Sequence, residues 1–245
     1  MRSLSDKICD EHFNNIEKSK EIQNRNFLTS LSKKQKEFLN TLLEGNMRKL
    51  ILISDEYLNG NKKVEDYYSK MITPAMYAMG QLWEMGEITA ATEHLGSSLI
   101  TRILASYNIK QELPAITKGK IVITSAANEY HEIGAWMTAN IFEIDGWEVY
   151  YLGANTPIKD VLKIVEDISP DILGVSVTMV YNLENIKSLF ESLRSNSKYD
   201  KMKLYTGGSL FSFYPQVSQF LNADFVAKDF KESLDAANNF WEETH

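Results

Sequence analysis

The spacing of apolar residues changes character once along the chain, near residue 111. Before that point apolar side chains recur every three or four positions, the period of helices that bury one face; after it they come in short unbroken runs. The first half predicts helices over Lys33–Glu44 and Met47–Leu58, a third from about Val64 through Leu82, and a fourth from about Thr89 to Tyr107. Ser32 is placed to cap the first and Gly45 to end it, and Asn59-Gly60-Asn61 stops the second. The third carries Tyr67, Tyr68, Met71, Ile72, Met76, Met79 and Leu82 at helical spacing and must accommodate Pro74, which predicts a kink. Four helices on short connections imply an antiparallel bundle over residues 31–110. Ahead of it, residues 1–30 are polar, with Asn14, Asn15, Asn24 and Asn26 diluting any apolar stripe, so a mobile lead-in or frayed helix is expected there.

Gln111-Glu112-Leu113-Pro114-Ala115 breaks the helical period and reads as a linker. Beyond it, strand-like runs over Ile121–Ser125, Glu148–Leu152, Ile172–Val177, Lys203–Tyr205 and Phe225–Val226 alternate with helical segments. Nearly continuous apolar strands are those of a parallel sheet covered on both faces. The expected fold is therefore α/β, with the four-helix bundle followed by a flavodoxin- or Rossmann-like five-stranded parallel sheet over residues 118–245, in strand order 2-1-3-4-5.

Composition narrows the partners. A net charge of -7 argues against a broad nucleic-acid footprint, which needs clustered Lys and Arg. No apolar run reaches the ~18 residues of a membrane span. Cys9 is the single cysteine, which excludes disulfide frameworks and cysteine metal sites, and the start of the chain has no apolar core of a secretory signal. A cytoplasmic protein with no direct nucleic-acid or membrane contact is expected.

The candidate chemistry sits after the first strand, in Glu129-Tyr130-His131-Glu132-Ile133-Gly134. This stretch places His131 beyond the carboxyl end of a buried strand, where open α/β sheets bind ligands. A histidine in such a turn is commonly a structural hydrogen-bonder, and Gly207-Gly208 is by itself only a tight turn. Spacing changes the reading: forty-one residues separate Gly134 from Ser176-Val177-Thr178, and twenty-eight more separate Thr178 from Gly207-Gly208. The set resembles the base-off cobalamin signature, Asp-x-His-x-x-Gly, Ser-x-Leu and Gly-Gly, of methionine synthase, corrinoid methyl carriers and B12-dependent photoreceptors. Glu129 replaces the usual aspartate and Thr178 the leucine. The resemblance implies His131 as the lower axial ligand of cobalt, Glu129 as the carboxylate that orients it, and Gly134, Ser176, Thr178, Gly207 and Gly208 along the channel for the nucleotide tail. Leu152-Gly153-Ala154-Asn155-Thr156-Pro157 resembles the family's loop after the second strand, near the corrin.

A second motif lies upstream. Trp83, nine residues, then Glu93-His94 resembles the Trp-x9-Glu-His motif of adenosylcobalamin photoreceptors of the CarH type. It implies Trp83, Glu93 and His94 as a cap over an adenosyl group, and a light sensor signalling to a partner regulator or through self-association. Glu84 stands where some of those photoreceptors carry a histidine, and too little chain precedes the bundle for their winged-helix DNA-binding domain. The expectation is accordingly a non-enzymatic transcription regulator holding adenosylcobalamin, or another cobalamin such as methylcobalamin. The rival is a corrinoid methyl-carrier subunit of a methyltransferase system, and a light-indifferent cobalamin sensor or store is a third reading.

Overall fold

The computed structural model describes residues 25–59, 63–108 and 112–244, which fall into two compact units, 25–108 and 112–244. Most of the lead-in expected at residues 1–30 lies outside the described residues; the part inside, 25–30, is helical.

In the first unit α1 spans Lys33–Leu43, α2 Met47–Leu58, α3 Val64–Tyr67, α4 Thr73–Glu84 and α5 Ala90–Asn108. Ser32 caps α1 as expected, in a reciprocal capping box: the Gln35 N–H donates to the Ser32 hydroxyl while the Gln35 side-chain oxygen accepts from the Ser32 N–H. Glu44, expected inside the helix, is its C-terminal cap, because Gly45 turns the chain at φ +68°. Pro74 does not simply kink the third helix. A π-helical turn over Tyr68–Ile72 joins α3 to α4, widening the ladder where Pro74 has no N–H to return. The Lys70 carbonyl, to which residue 74 of a regular helix would donate, accepts instead from the Gln35 side chain at 2.9 Å. The unit's core gathers Phe38, Leu42, Leu50, Tyr67, Ile72, Met79 and Ile100, all buried, with the Tyr67 hydroxyl bonded to that of Ser54.

The second unit is the expected parallel sheet, with β1 Lys120–Ser125, β2 Glu148–Tyr151, β3 Ile172–Ser176, β4 Lys203–Gly207 and β5 Phe225–Ala227 in the order β2-β1-β3-β4-β5. β2 and β3 each stop one residue earlier than the apolar run predicts, and β4 runs two residues further, into the Gly-Gly pair. Helices α6 Ile133–Ile144, α7 Ile158–Ile168, α8 Leu183–Arg194 and α10 Phe230–Thr244 cover it, and a short α9, Ser209–Phe213, follows β4. On one face Ile121, Ile123, Ile172 and Tyr205 pack with Ala135, Ala139 and Phe142 of α6 and Ala237 of α10. Trp147 stands edge-on to both Phe142 and Trp241, and its indole N–H donates to Asn238 at 3.1 Å. That bond keeps the large ring satisfied while it is buried. Among the described residues no helix is long and apolar enough to cross a membrane.

The register of the strands brings the motifs together. Ser125 pairs with Ser176, Ser176 with Gly207, and Gly207 with Ala227, so the last rank of the sheet at its carboxyl edge consists of small residues only. Two of the four belong to the sequence motifs. They reach the same edge because the strands are parallel and in step.

Candidate functional site

At that edge the chain leaves β1 through Ala126, and the loop brings Glu129 back under the sheet end. Glu129 is 1% exposed, a depth at which a carboxylate is rare unless paired. Its partners explain it. Oε1 accepts from the Nδ1–H of His131 at 2.5 Å and from the His131 backbone N–H at 3.2 Å. Oε2 accepts from the N–H groups of Thr178 (3.0 Å) and Met179 (2.9 Å) and from the Asn182 side-chain amide (3.0 Å). Burial alone would raise this carboxyl's pKa, but the bonds from His131, Met179, Thr178 and Asn182 outweigh it and hold the value at about 2, below the ordinary 4.5. Glu129 is an anion throughout the physiological range.

The consequence falls on the imidazole. With Nδ1–H committed to the carboxylate, the ring is held in the tautomer whose lone pair is on Nε2, and the carboxylate raises its basicity. The side chain is 57% exposed, so a ligand can approach it. The Ser125 hydroxyl donates to the His131 carbonyl at 3.2 Å and fixes the backbone beneath.

The depressed carboxyl pKa has a measurable effect on stability. A folded pKa below the unfolded one stabilises the fold above the unfolded pKa, and that stabilisation is lost as pH falls through the folded value. For Glu129 the window runs from about 4.5 down to about 2, and a shift of this size corresponds to about 3 kcal/mol. Urea unfolding of the cofactor-free protein should therefore show a steeper loss of stability across this window in the wild type than in Glu129→Gln. Parallel curves for the two proteins would contradict the assignment.

The other motif residues surround this pair. Ser176, at the end of β3, accepts the Ala126 N–H on its carbonyl at 2.9 Å. Thr178, expected along the channel for the nucleotide tail, uses its backbone N–H to hold Glu129. The Gly207 carbonyl accepts from the Val177 N–H at 2.9 Å, and Gly208, at φ +115°, lies so close to that strand end that a Cβ would stand 2.2 Å from the Val177 oxygen. Gly134 opens α6, and a Cβ there would meet no protein atom within 4 Å, so packing within the protein does not require a glycine. Glu129, His131, Ser176, Thr178, Gly207 and Gly208 thus meet at one edge of one sheet.

The upstream trio belongs to the other unit. Trp83, near the end of α4, is 49% exposed. Glu93 and His94 lie in the first turn of α5, where Glu93 accepts from the Ser97 hydroxyl at 2.6 Å and lies 2.9 Å from His94 Nδ1. These contacts are made within a single stretch of helix.

Asn182 is the site residue that the sequence does not announce. An asparagine preceding a helix reads as an N-cap, yet Asn182 makes no such bond at the start of α8 and spends its side chain on Glu129 and on the Asn128 carbonyl, at 3.3 Å. The only available signal is its position, four residues past Thr178 and at the same strand end.

Among the described residues no group of three His, Cys, Asp or Glu side chains gathers to hold a bare ion. One exposed, carboxylate-oriented imidazole fits a metal whose remaining positions are filled by a macrocycle. An open parallel sheet presenting such an imidazole at its carboxyl edge, in a chain that also carries a helical unit, defines a class: the α/β domains that take a ligand at their strand ends.

Similarity to known proteins agrees with that class. Residues 119–237 match the B12 binding domain model, and residues 34–107 match a second model, also described as a B12 binding domain. The chain carries two B12-binding domains. Among curated relatives, the dimethylamine corrinoid protein of Methanosarcina barkeri is 23% identical over 65% of this chain and 76% of its own. Trimethylamine corrinoid protein 1 of Methanosarcina acetivorans is 24% identical over 64% of this chain and 74% of its own. The structure of the Methanosarcina barkeri monomethylamine corrinoid protein superimposes with a TM-score of 0.71 over 83% of this chain and 96% of that one, at 17% identity, a likeness of fold.

These relatives overturn the photoreceptor reading. They are corrinoid proteins named for methylamines, which favours the methyl-carrier reading, and they give no support to light sensing or transcription regulation. The physical reason lies in the motif that suggested a photoreceptor. Glu93 bonds Ser97 and lies against His94 within α5, so this polar pair has partners in its own helix, and the spacing back to Trp83 on α4 does not by itself specify an adenosyl group.

Proposed function

We propose that the protein is the corrinoid-carrying subunit of a methyltransferase system, with His131 Nε2 as the lower axial ligand of cobalt. The observation that carries this reading is the buried Glu129 carboxylate, which accepts five hydrogen bonds and fixes an exposed imidazole at the carboxyl edge of the sheet. Bound there, a cobalamin would supply a cobalt centre that takes up and releases a methyl group. The chain's own part is to orient. Glu129 keeps the His131 tautomer correct, Thr178, Met179 and Asn182 keep Glu129 ionised and still, and the small residues Ser176, Gly207 and Gly208 keep the strand ends low enough for the nucleotide tail. The protein would thus serve as a cofactor-binding subunit, and the chemistry at the methyl group would belong to partner enzymes. The partners are accordingly methyltransferase subunits, and the cofactor would be a cobalamin carried in its methylated form. The domain division at the linker, 31–110 and 118–245, is part of the same proposal.

The test loads the purified chain with radiolabelled methylcobalamin, removes free cofactor by gel filtration, and adds a cognate thiol methyltransferase with its thiol. Label should pass to the thiol at a rate that depends on the loaded protein. Label that stays on the protein, or a chain that emerges without corrinoid, defeats the proposal.

A further inference from the structure

Glu129 orients His131 only if its own backbone is fixed, whereas Thr178, Met179 and Asn182 hold its side chain. The backbone is held from the opposite direction, by the loop between β2 and α7. Asn155 N–H donates to the Glu129 carbonyl at 2.9 Å, and Asn155 Oδ1 accepts from the Asn128 N–H at 2.9 Å. Its Nδ2 donates to the Tyr130 hydroxyl at 3.3 Å. One residue of a neighbouring loop thus bonds three consecutive residues, 128, 129 and 130, immediately before the imidazole.

Two further observations mark this contact as a built feature. Asn128 and Asn155 both adopt left-handed backbone conformations, φ +63° and +53°, which asparagine tolerates better than most side chains but which still cost energy unless neighbours enforce them. Asn128 is also bonded on its other side, where its carbonyl accepts from Asn182 at 3.3 Å. Asn128, the residue before Glu129, is therefore clamped between asparagines from the loops on either side, Asn155 after β2 and Asn182 after β3. The same β2 loop is anchored to the end of β1, where Ser125 N–H donates to the Gly153 carbonyl at 3.0 Å.

We propose that Asn155 is a positioning residue for the His131 imidazole, acting through the backbone of Asn128 and Glu129, so that the loop after β2 sets the angle at which the ring meets cobalt. The inference rests on the reading of His131 as the axial ligand and goes beyond it by assigning the second support of that ligand. Tyr130, 73% exposed, is steadied by the same side chain and forms the outer lip of that support.

The experiment uses the full chain, made with 15N-histidine, reconstituted with hydroxocobalamin and reduced to cobalt(II), in which an axial histidine imprints a hyperfine doublet on the EPR spectrum, distinct from the triplet of the cofactor's own dimethylbenzimidazole. Wild type comes first: if it retains no corrinoid, or shows no doublet, it is the axial-ligand reading that fails. Given a split wild-type signal, Asn155→Gly isolates the side chain, because glycine keeps the left-handed backbone and the N–H to Glu129. It should weaken hydroxocobalamin binding about tenfold, the scale for groups that support a metal ligand, and part of the cobalt(II) signal should lose its splitting. Asn155→Asp keeps the acceptor for the Asn128 N–H and should restore most of the splitting. A merely structural role predicts lowered thermal stability in both variants with an unchanged spectrum, and that result overturns the proposal, as does an Asn155→Gly protein with wild-type affinity and full splitting. Should Asn155→Gly not fold, hydrogen exchange in the wild type decides: the Asn128 amide should be protected despite its place in an exposed loop, and free exchange there overturns the assignment.

Discussion

Replacing His131 by alanine should abolish the axial nitrogen signature of bound cobalamin and weaken its binding by about 100-fold or more, corresponding to about 2.7 kcal/mol. The size follows from what is removed. The imidazole is the group the site is built to present, and Glu129, buried with its five donors, would be left orienting nothing. The ring is 57% exposed, so its removal opens no cavity in the core and circular dichroism should be close to wild type, while the cofactor-free protein should lose part of the stability that the His131 bond gives the buried Glu129 carboxylate. Exogenous imidazole should return the bound cofactor toward its wild-type spectrum. A His131→Ala protein whose bound cofactor looks like wild type would remove the basis of the functional proposal.

The second large effect is expected at Gly208, and on stability. Its φ of +115° with ψ of 171° belongs to a region open essentially only to glycine. A Cβ there would lie 2.2 Å from the Val177 oxygen and 2.9 Å from the Val177 nitrogen, both backbone atoms in the connection that leads from β3 to Thr178 and Met179. Gly208→Ala must therefore push the end of β3 away from β4 and strain the Val177 N–H bond to Gly207. A loss of about 3 kcal/mol or more is expected in urea unfolding, together with weaker cofactor binding, because the displaced segment holds Glu129. Gly207→Ala offers the comparison: its Cβ meets the Tyr205 hydroxyl at 2.6 Å, the far end of a side chain, so it should cost less. Equal losses at the two glycines, or a Gly208→Ala protein within about 0.5 kcal/mol of wild type, would show that the close approach to β3 is not what selects glycine there.

Three of the motif residues, Ser176, Gly207 and Gly208, were legible in the sequence because they report local necessities. A strand end requires small residues where strands are in step, and Ser176 and Gly207 stand in that rank. A backbone at φ +115° and ψ 171° requires glycine, and Gly208 supplies it. The upstream Trp83 to Glu93-His94 spacing was equally visible and misled, since a spacing along two helices fixes which residues lie near one another and says little about the ligand they would meet. The distant relatives, matched over 65% and 64% of the chain, corrected the function that this spacing had implied. Pro74 is the intermediate case. Its disruption of a helix was certain, but whether a kink or a π turn absorbs it depended on Gln35, which supplies a donor for Lys70 across the bundle.

The sequence by itself determined the alternation of elements and the five-stranded order, and it singled out the imidazole that the structure finds bonded to Glu129, because periodicity, glycines and motif spacing are encoded along the chain. Only the tertiary structure decided what supports that imidazole. Asn182 and Asn155 lie more than twenty residues from Glu129 in sequence and on different loops, and the hydrogen bonds they make exist only after parallel strands in register have brought three loops to one edge.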